Sequence, residues 1–568
     1  MTTVRTTGKT GSDIDRIWLK SYPEGVPAEI GPLKFASVAE LFKSSCDKYG
    51  DKPAFICMGK TLSFTEVDAL SADFAAWLQS CNLQKGDRVA IMVPNILQYP
   101  IAVAGILRAG LVVVNVNPLY TPRELKHQLE DSGAKAIVVL ENFAATVEDV
   151  VKDVHLEQVV VTTMGDMLGL KGHVVNFVVR HIKKLVKPWN LPGHKTFKDV
   201  LSMGDGRKLQ PVDLDVEDIA FLQYTGGTTG VSKGAALSNR NILSNVSQNA
   251  LWLDVVYRNK GKPDEMTYVC ALPLYHIFAL TVNCLMGMDQ GACNLLIPNP
   301  RDLPSFIKEL SKYKVHVFPG LNTLFISMMN HKDFSKLDLS TLMLTLGGGM
   351  AVQKPVAEEW KKLTGCAIAE GYGLSETSPV ATANRFDVTE FSGNIGLPLP
   401  STDIAIRDDE GNDMPLGEVG EICIRGPQVM AGYWQRPEAT ALVMTEDGFF
   451  KSGDLGFMNE EGRTKIVDRK KDMILVSGFN VFPNEIEEAA AEHPGILEAA
   501  AIGVADDYSG EVVKLFVVKK DPALTIDDVQ AHCKKTMTGY KRPKFIEFMD
   551  ELPKSNVGKV LRRKLRDA

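Results

Sequence analysis

The sequence predicts an α/β protein: a large N-terminal domain of parallel α/β subdomains plus a β-rich subdomain, with a small C-terminal α/β domain. Three observations predict it. Strand and helix patterns alternate through the first third of the chain and again between Arg301 and Thr345, which is the signature of βαβ units and a mostly parallel sheet. From about Asp403 to Gly432 the pattern changes to paired short strands joined by turns. Beyond the charge run Asp468-Arg469-Lys470-Lys471-Asp472 lies a segment of about 100 residues, the size of a small domain.

The elements follow in chain order. Ser71 to Leu83 (SADFAAWLQSCNL) has apolar residues at helical spacing. The turn-like Lys85-Gly86-Asp87 precedes Arg88 to Val93 (RVAIMV), a short apolar run that reads as a strand. Thr121 is placed as an N-cap and Pro122 as a first-turn proline, Leu125 and Leu129 form an i,i+4 apolar pair, and Gly133 stops the helix. Ala136 to Leu140 (AIVVL) is a buried strand. DIAIRD, the turn Asp408-Asp409-Glu410-Gly411 and EICIRG read as antiparallel hairpins. In the last segment, strands are expected near Glu498–Val504 and Val512–Val518 and a helix near Ile526–Thr538. The charge run before it reads equally as a linker or as a solvated helix end.

Composition narrows the function classes. The chain has 568 residues, with 63 Lys and Arg against 70 Asp and Glu, a net charge of −7. That excludes a broadly basic nucleic-acid binder, though not a local basic patch. A hydrophobic content of 45% with 23% charged residues excludes wholesale disorder. The nine cysteines are widely spaced and form no CxxC pair, so a disulfide framework or Cys-rich zinc site is not expected and a reducing cytoplasm fits. Met1 to Ser21 has no apolar core of a signal peptide, and no run of about 18 apolar residues suggests a membrane span.

One segment stands apart. Gly172 to Trp189 (GHVVNFVVRHIKKLVKPW) combines Val174, Val175, Phe177, Val178, Ile182, Leu185 and Val186 with Arg180, Lys183, Lys184 and Lys187. Such a basic amphipathic helix either lies in a membrane interface or packs as an ordinary surface helix.

The densest chemical signal is Tyr224-Thr225-Gly226-Gly227-Thr228-Thr229-Gly230-Val231-Ser232-Lys233-Gly234, directly after the apolar run Ile219–Leu222. Glycines let backbone N–H groups approach closely, hydroxyls add donors and lysine adds positive charge, a combination that cradles phosphates. No G-x-x-x-x-G-K-[ST] can be drawn through it, so it is not a Walker A loop.

YTGGTTGVSKG resembles the phosphate loop of the adenylate-forming (acyl-activating) enzyme superfamily, and five further motifs follow in that family's order. They are Ala271-Leu272-Pro273-Leu274-Tyr275-His276, then Glu370-Gly371-Tyr372-Gly373-Leu374-Ser375-Glu376-Thr377, then Lys451-Ser452-Gly453-Asp454. The run Asp468 to Asp472 resembles the hinge, and Leu552-Pro553-Lys554-Ser555-Asn556-Val557-Gly558-Lys559 resembles the catalytic-lysine motif. The coverage runs from about Leu41 to Arg566. Within the superfamily, NVNPLYTPREL, ALPLYHIFAL, NPRDLP and DRKKDMILVSGFNVFPNEIE are most similar to the bacterial long-chain fatty acid–CoA ligases.

The resemblance implies a two-step reaction. A fatty acid and ATP give acyl-AMP and pyrophosphate, and the CoA thiol then displaces AMP. It implies that Lys559, His276, Glu376 and Lys233 are catalytic. ATP would be held by Thr225, Gly226, Gly227, Thr228, Thr229, Gly230, Lys233, Gly348, Gly349, Glu370, Gly371, Tyr372, Ser375, Asp454, Arg469, Lys471 and Lys559. Glu376 and Thr225 would ligate Mg2+, a hard cation suited to oxygen donors. Asp468 is the implied hinge, which gives an N-terminal adenylation domain at 1–467, with its β-rich subdomain at about 395–450, and a mobile C-terminal domain at 468–568. Ile277, Phe278, Leu280, Gly320 and Leu321 are the candidate acyl-chain contacts, in keeping with the apolar channel a fatty chain needs. The tryptophan gate of some members of that family has no counterpart at Ile277–Thr281.

The partners implied are a fatty acid, ATP, CoA and a membrane surface, in the cytoplasm and on the inner membrane. A homodimer is an open alternative to a monomer, and no nucleic-acid partner is implied. Three alternatives to acyl-CoA synthesis remain at this stage: transfer of the acyl group to a carrier-protein pantetheine, a different acid substrate, or a non-catalytic lipid-binding protein.

Overall fold

The computed structural model describes residues 15–225, 232–506, 508–555 and 558–566. Among them are an eight-stranded sheet, a nine-stranded sheet, a four-stranded antiparallel sheet and a five-stranded C-terminal sheet. In the eight-stranded sheet, strands Ile219–Thr225, Val112–Asn115, Arg88–Met92, Ala134–Leu140, Gln158–Thr162 and Lys195–Thr196 run parallel in that spatial order. Lys233–Ser238 then adds antiparallel to Ile219–Thr225. The central strands are apolar on both faces because helices cover both, as βαβ crossovers require.

In the nine-stranded sheet, the parallel strands Thr267–Cys270, Val317–Gly320, Leu344–Gly347 and Ile368–Gly373 lie side by side. Each ends at a predicted motif: the 270–276 loop, Leu321, Gly348 and Gly349, and Tyr372. In open α/β sheets the crevice beyond the carboxyl ends of the strands is where ligands bind. The shelf is held from behind by Trp360, which is fully buried among Phe318, Phe325 and Phe334. Gly373 has no substitute here, since a Cβ would lie 1.7 Å from the Pro379 carbonyl oxygen.

The antiparallel sheet consists of Asp403–Arg407, Gly420–Arg425, Phe450–Met458 and Thr464–Arg469, so the hairpin pattern of 403–425 continues to residue 469. Gly432–Tyr433 leaves that region and pairs with Ala235 and Ala236 of the eight-stranded sheet. The C-terminal sheet contains Ile496–Asp506 against Gly510–Lys519, with Phe545–Met549 parallel to the latter. Helices Pro483–Ala491 and Ile526–Thr536 cover it over a core that includes Ile486, Leu515 and Val529.

Most local expectations hold. Thr121 caps Pro122–Ser132 in a reciprocal capping box with Glu124, and Gly133 ends the helix at φ 61°. Two differ. The helix expected over Ser71–Leu83 begins at Phe64, where Ser63 and Glu66 form a capping box, and ends at Ser80. The helix expected over Gly172–Trp189 spans Leu170–Phe177, continues as a wider turn over Val178–Ile182 and stops. Lys184 adopts φ +50°, and a non-glycine residue in that region ends a helix rather than extending it.

Candidate active site

The strand Ile368–Gly373 ends with Tyr372 buried and its hydroxyl donating to Asp454 Oδ2 at 2.7 Å. Asp454 lies on the strand Phe450–Met458, directly opposite Arg469 in the antiparallel register, which brings the Arg469 Nε to 3.2 Å from Asp454 Oδ1. Residues from two other segments thus share one carboxylate. Burial, and then the Asp454 charge, hold the Tyr372 hydroxyl far above the usual phenol range, so it is a permanent donor.

The turn Ser375–Thr377 follows, and Glu376 within it is buried. Its Oε1 accepts from the Tyr433 hydroxyl at 2.8 Å. Lys233 Nζ sits 5.0 Å from the centre of the same Tyr433 ring. Tyr433 owes this place to the pairing of Gly432–Tyr433 with Ala235–Ala236, a long-range contact that no local sequence pattern announces. Burial pushes the Glu376 carboxyl up from its ordinary value, partly offset by the Tyr433 hydrogen bond. Thr225 and Lys233 pair across neighbouring strands on either side of the glycine-rich segment, and Ser232 Oγ donates to the Thr225 carbonyl at 2.6 Å. Gly226, Gly227, Thr228, Thr229 and Gly230 lie outside the described residues.

Lys559 enters this site from the other end of the chain. A Cβ at Gly349 would lie 3.7 Å from Lys559 Cε, and a Cβ at Gly558 would lie 3.0 Å from Thr323 Oγ1 and 3.1 Å from Leu321 Cδ1. Burial and then the Arg469 charge lower the Lys559 pKa, while Asp454 and Glu376 raise it back. The His276 pKa is pushed down to about 3, first by burial and then by Lys559. The imidazole is therefore neutral, and its Nδ1 accepts from the Phe278 N–H at 3.3 Å, which leaves Nε2 as the donor. The loop carrying it is held by Asn95, which donates to the Cys270 and Leu272 carbonyls at 2.9 and 2.8 Å and accepts from the Leu274 N–H at 2.8 Å. Gln223 Nε2 adds a bond to the Tyr275 carbonyl at 2.8 Å. Neither Asn95 nor Gln223 was visible as a site residue, since their partners are about 180 and about 50 residues away.

The remaining predicted residues divide. The Phe278 ring sets the limit at Gly348, where a Cβ would approach it to 3.0 Å, and Leu321 lies against Gly349. Ile277 and Leu280 are fully buried at the start of the following helical segment, and Gly320 packs on Phe325. Glu370 accepts from the Val352 N–H at 3.3 Å, its other oxygen has no partner among the described residues, and burial pushes its pKa up to about 8. Gly371 has only ordinary contacts around its Cβ position, and Ser375 opens the Glu376 turn. Burial brings the Lys471 pKa down to about 8. Asp468 is completely buried at the end of a strand, so the charge run is not a solvated helix end there.

A second feature lies away from this groove. The segment Leu170–Ile182 turns Gly172, Asn176 and Arg180 inward together with Val175 and Val179, so Val175 is not part of its outer apolar surface. Gly172 backs onto Gly165 so closely that a Cβ would lie 1.9 Å from the Gly165 carbonyl oxygen. Asn176 bonds Gly165 N and Thr163 Oγ1 at 2.8 Å each, and Arg180 Nη2 meets buried Glu141 at 2.7 Å. Leu170, Val174, Phe177, Ile182 and Leu185 are left exposed, Leu170 to 89%, beside exposed Lys183, Lys184 and Lys187.

Comparison with known proteins gives a consistent result. The profile of the AMP-binding enzyme family matches residues 42–434, and that of the AMP-binding enzyme C-terminal domain matches residues 485–559. The long-chain-fatty-acid–CoA ligase of Yersinia pestis is 56% identical over 558 residues, covering 98% of each chain. The protein of that name from Bacillus subtilis is 38% identical, covering 96% of this chain and 97% of its own. Among solved structures, the anthranilate CoA ligase AuaEII in complex with anthranoyl-AMP superposes with a TM-score of 0.83 at 25% identity, over 95% of this chain and 98% of its own. ATP-bound MatB from Rhodopseudomonas palustris gives 0.75 at 28% identity, over 93% and 98%.

Proposed function

Because the chain belongs to the AMP-binding enzyme family, we propose that it is a long-chain fatty acid–CoA ligase whose two half-reactions share the groove between Tyr372, Glu376, Asp454 and Lys559. The observation that carries this reading is the arrival of Lys559 beside Gly349, within the field of Asp454 and Glu376. Adenylation needs positive charge where a carboxylate oxygen attacks the α-phosphorus and the pyrophosphate oxygen departs, and a desolvated lysine supplies it without reorganisation. Asp454 accepts the ribose hydroxyls, and the backbone at Gly348, Gly349 and Gly371 leaves room for the adenine beside Tyr372. Thr225, Lys233 and the turn between them take the β- and γ-phosphates. Neutral His276 donates from Nε2 to the fatty carboxylate and orients it.

Magnesium fits this donor set in a limited way. Among the described residues no group of three or more His, Cys, Asp or Glu could hold a metal ion. A Mg2+ ion would be held by the buried Glu376 carboxylate, with Thr225 nearby and the nucleotide phosphates completing its shell. It would neutralise phosphate charge during displacement.

In the second half-reaction the CoA sulfur bonds to the acyl carbon and the mixed anhydride C–O bond breaks, releasing AMP. The space Lys559 occupies must then open, and we assign that motion to a C-terminal domain beginning at Asp468. The Phe278 and Leu321 side chains, beside the nucleotide shelf, form the start of the acyl channel.

The test is pyrophosphate release with acids of graded length, with and without CoA. Release that rises with chain length, with CoA consumed in equal amount, supports the reading. No release with any fatty acid overturns it, and release without CoA consumption favours a carrier-protein acceptor.

We also propose a peripheral membrane placement, on the cytoplasmic face of the inner membrane. No helix among the described residues is long and apolar enough to cross a membrane. The support is the outward apolar side of Leu170–Ile182 next to Lys183, Lys184 and Lys187, the arrangement of an interfacial helix on anionic lipid. Vesicles containing phosphatidylglycerol should pellet the wild type and release Lys183→Glu/Lys184→Glu. Equal pelleting of both proteins removes this segment from the account.

A further inference from the structure

The loop that carries Lys559 is held by charged side chains. On either side of the lysine, the Ser555 N–H donates to the Lys559 carbonyl at 2.7 Å and the Leu561 N–H to the Pro553 carbonyl at 2.7 Å. Three residues past the lysine, Arg562 places Nη2 at 2.9 Å from each Glu487 carboxylate oxygen and at 2.8 Å from Asn484 Oδ1. Glu487 is itself fixed to the C-terminal sheet, accepting from the Ala501 N–H at 2.8 Å. Asn484 faces two ways. Its backbone N–H donates to Asp468 Oδ2 at 2.8 Å, and its Nδ2 donates to the Val467 carbonyl at 3.4 Å. Arg566 adds a bond to Asp472 at 2.8 Å. An unbroken chain of polar contacts therefore runs from the strand end at Val467 and Asp468, through Asn484 and Arg562, to the loop of Lys559. The Arg562 and Glu487 side chains are 17% and 16% exposed, so the pair is little screened by water, and Arg562 Nε adds a bond to Glu487 Oε1 at 3.2 Å, so that Glu487 accepts from two nitrogens of a guanidinium fork that a lysine does not offer.

We propose that Arg562 is a positioning residue for adenylation: it locks the Lys559 loop to the Asp468 strand end, so that the lysine is presented only in step with the orientation of that segment. The inference rests on the reading of Lys559 as the adenylation lysine and Asp468 as the hinge. A lysine displaced by about 1 Å loses most of its effect on the reacting phosphorus, while thiol attack on ready-made acyl-AMP does not use it.

The test measures the two half-reactions separately in the full-length protein: pyrophosphate release from ATP and fatty acid, and thioester formation from synthetic acyl-AMP and CoA. Arg562→Gln should slow adenylation roughly 10- to 100-fold and leave thioester formation within about twofold. Arg562→Lys, which keeps the charge and loses the fork, should fall between Arg562→Gln and the wild type. Arg562→Gln leaves Glu487 buried and unpaired, so the double variant Arg562→Gln/Glu487→Gln is the decisive one. It removes the unpaired charge and should recover thermal stability without recovering adenylation. If adenylation recovers along with stability, or if both half-reactions fall equally, Arg562 is only structural and the proposal is wrong. Lys559→Ala is run alongside. Should Lys559→Ala spare adenylation, the reading of the lysine has failed; should it cripple adenylation while Arg562→Gln does not, only the present inference has failed.

Discussion

The strand-end shelf of residues 317–373 and the terminal segment that carries Lys559 and the helix Arg562–Arg566 meet at one groove, but different forces hold them there. The shelf rests on close packing, with Trp360 wedged among three phenylalanines and the glycines at 347 and 373 backed by neighbours that leave no room for a side chain. The terminal segment is held by ion pairs: Lys554 to Glu498, Arg562 to Glu487 and Arg566 to Asp472. Packed cores resist small displacements, because lost contacts and voids are costly. Ion pairs on one body can move with it intact. Under the function proposed above, a rigid nucleotide shelf and a segment that travels as a unit would divide the labour of two successive reactions in one groove.

The largest effect that would break this contrast lies in the shelf. Trp360→Ala should cost about 3–5 kcal/mol of stability, as for other buried tryptophans, and denaturant unfolding measures it. A loss below 1 kcal/mol would mean that packing is not what fixes the shelf. Next is the carboxylate shared by Tyr372 and Arg469. Asp454→Ala removes charge-assisted hydrogen bonds, each of about 1.5–3 kcal/mol, and should raise the KM for ATP roughly 10- to 100-fold. An unchanged KM for ATP would place the ribose elsewhere.

The smallest effect is a pH slope. The Glu370 carboxyl has a folded-state pKa of about 8 against an ordinary 4.5, chiefly through burial. Between these values the folded protein binds more protons than the unfolded chain, so this residue's contribution to stability is complete below about pH 4.5 and is lost as pH rises through 8. Glu370→Gln should flatten the decline of Tm across that window. A slope identical to the wild type's would show that the Glu370 side chain is solvated.

What was legible in the sequence depended on how local its cause was. Thr121, Glu124 and Gly133 mark their helix because capping is settled within a few residues, and the strands of the parallel sheets announce themselves as apolar runs. Residues such as Glu376, Asp454 and Lys559 sit in dense motifs, so the candidate site could be named before its geometry was known. Tyr433, Asn95 and Arg562 could not, since each acquires its role from a partner more than 50 residues away: Glu376, Leu272 and Glu487. The helical segment around Gly172 is shorter than its pattern suggests for a related reason. Its apolar and basic residues suit a longer helix, but Lys184 leaves helical geometry and the inward side is set by Gly165 and Glu141.

The central claim is that Lys559 must be in the groove for the first half-reaction and out of it for the second. Gly558 and Thr323 meet across the groove, with the Gly558 Cβ position 3.0 Å from Thr323 Oγ1. The pair Thr323→Cys/Gly558→Cys can therefore be closed as a disulfide, with each single cysteine variant as the control for the positive φ at Gly558. Oxidised protein should still release one equivalent of pyrophosphate and form acyl-AMP, yet make no acyl-CoA until reductant is added. Acyl-CoA formation at the uncrosslinked rate while the bond is closed would contradict the account.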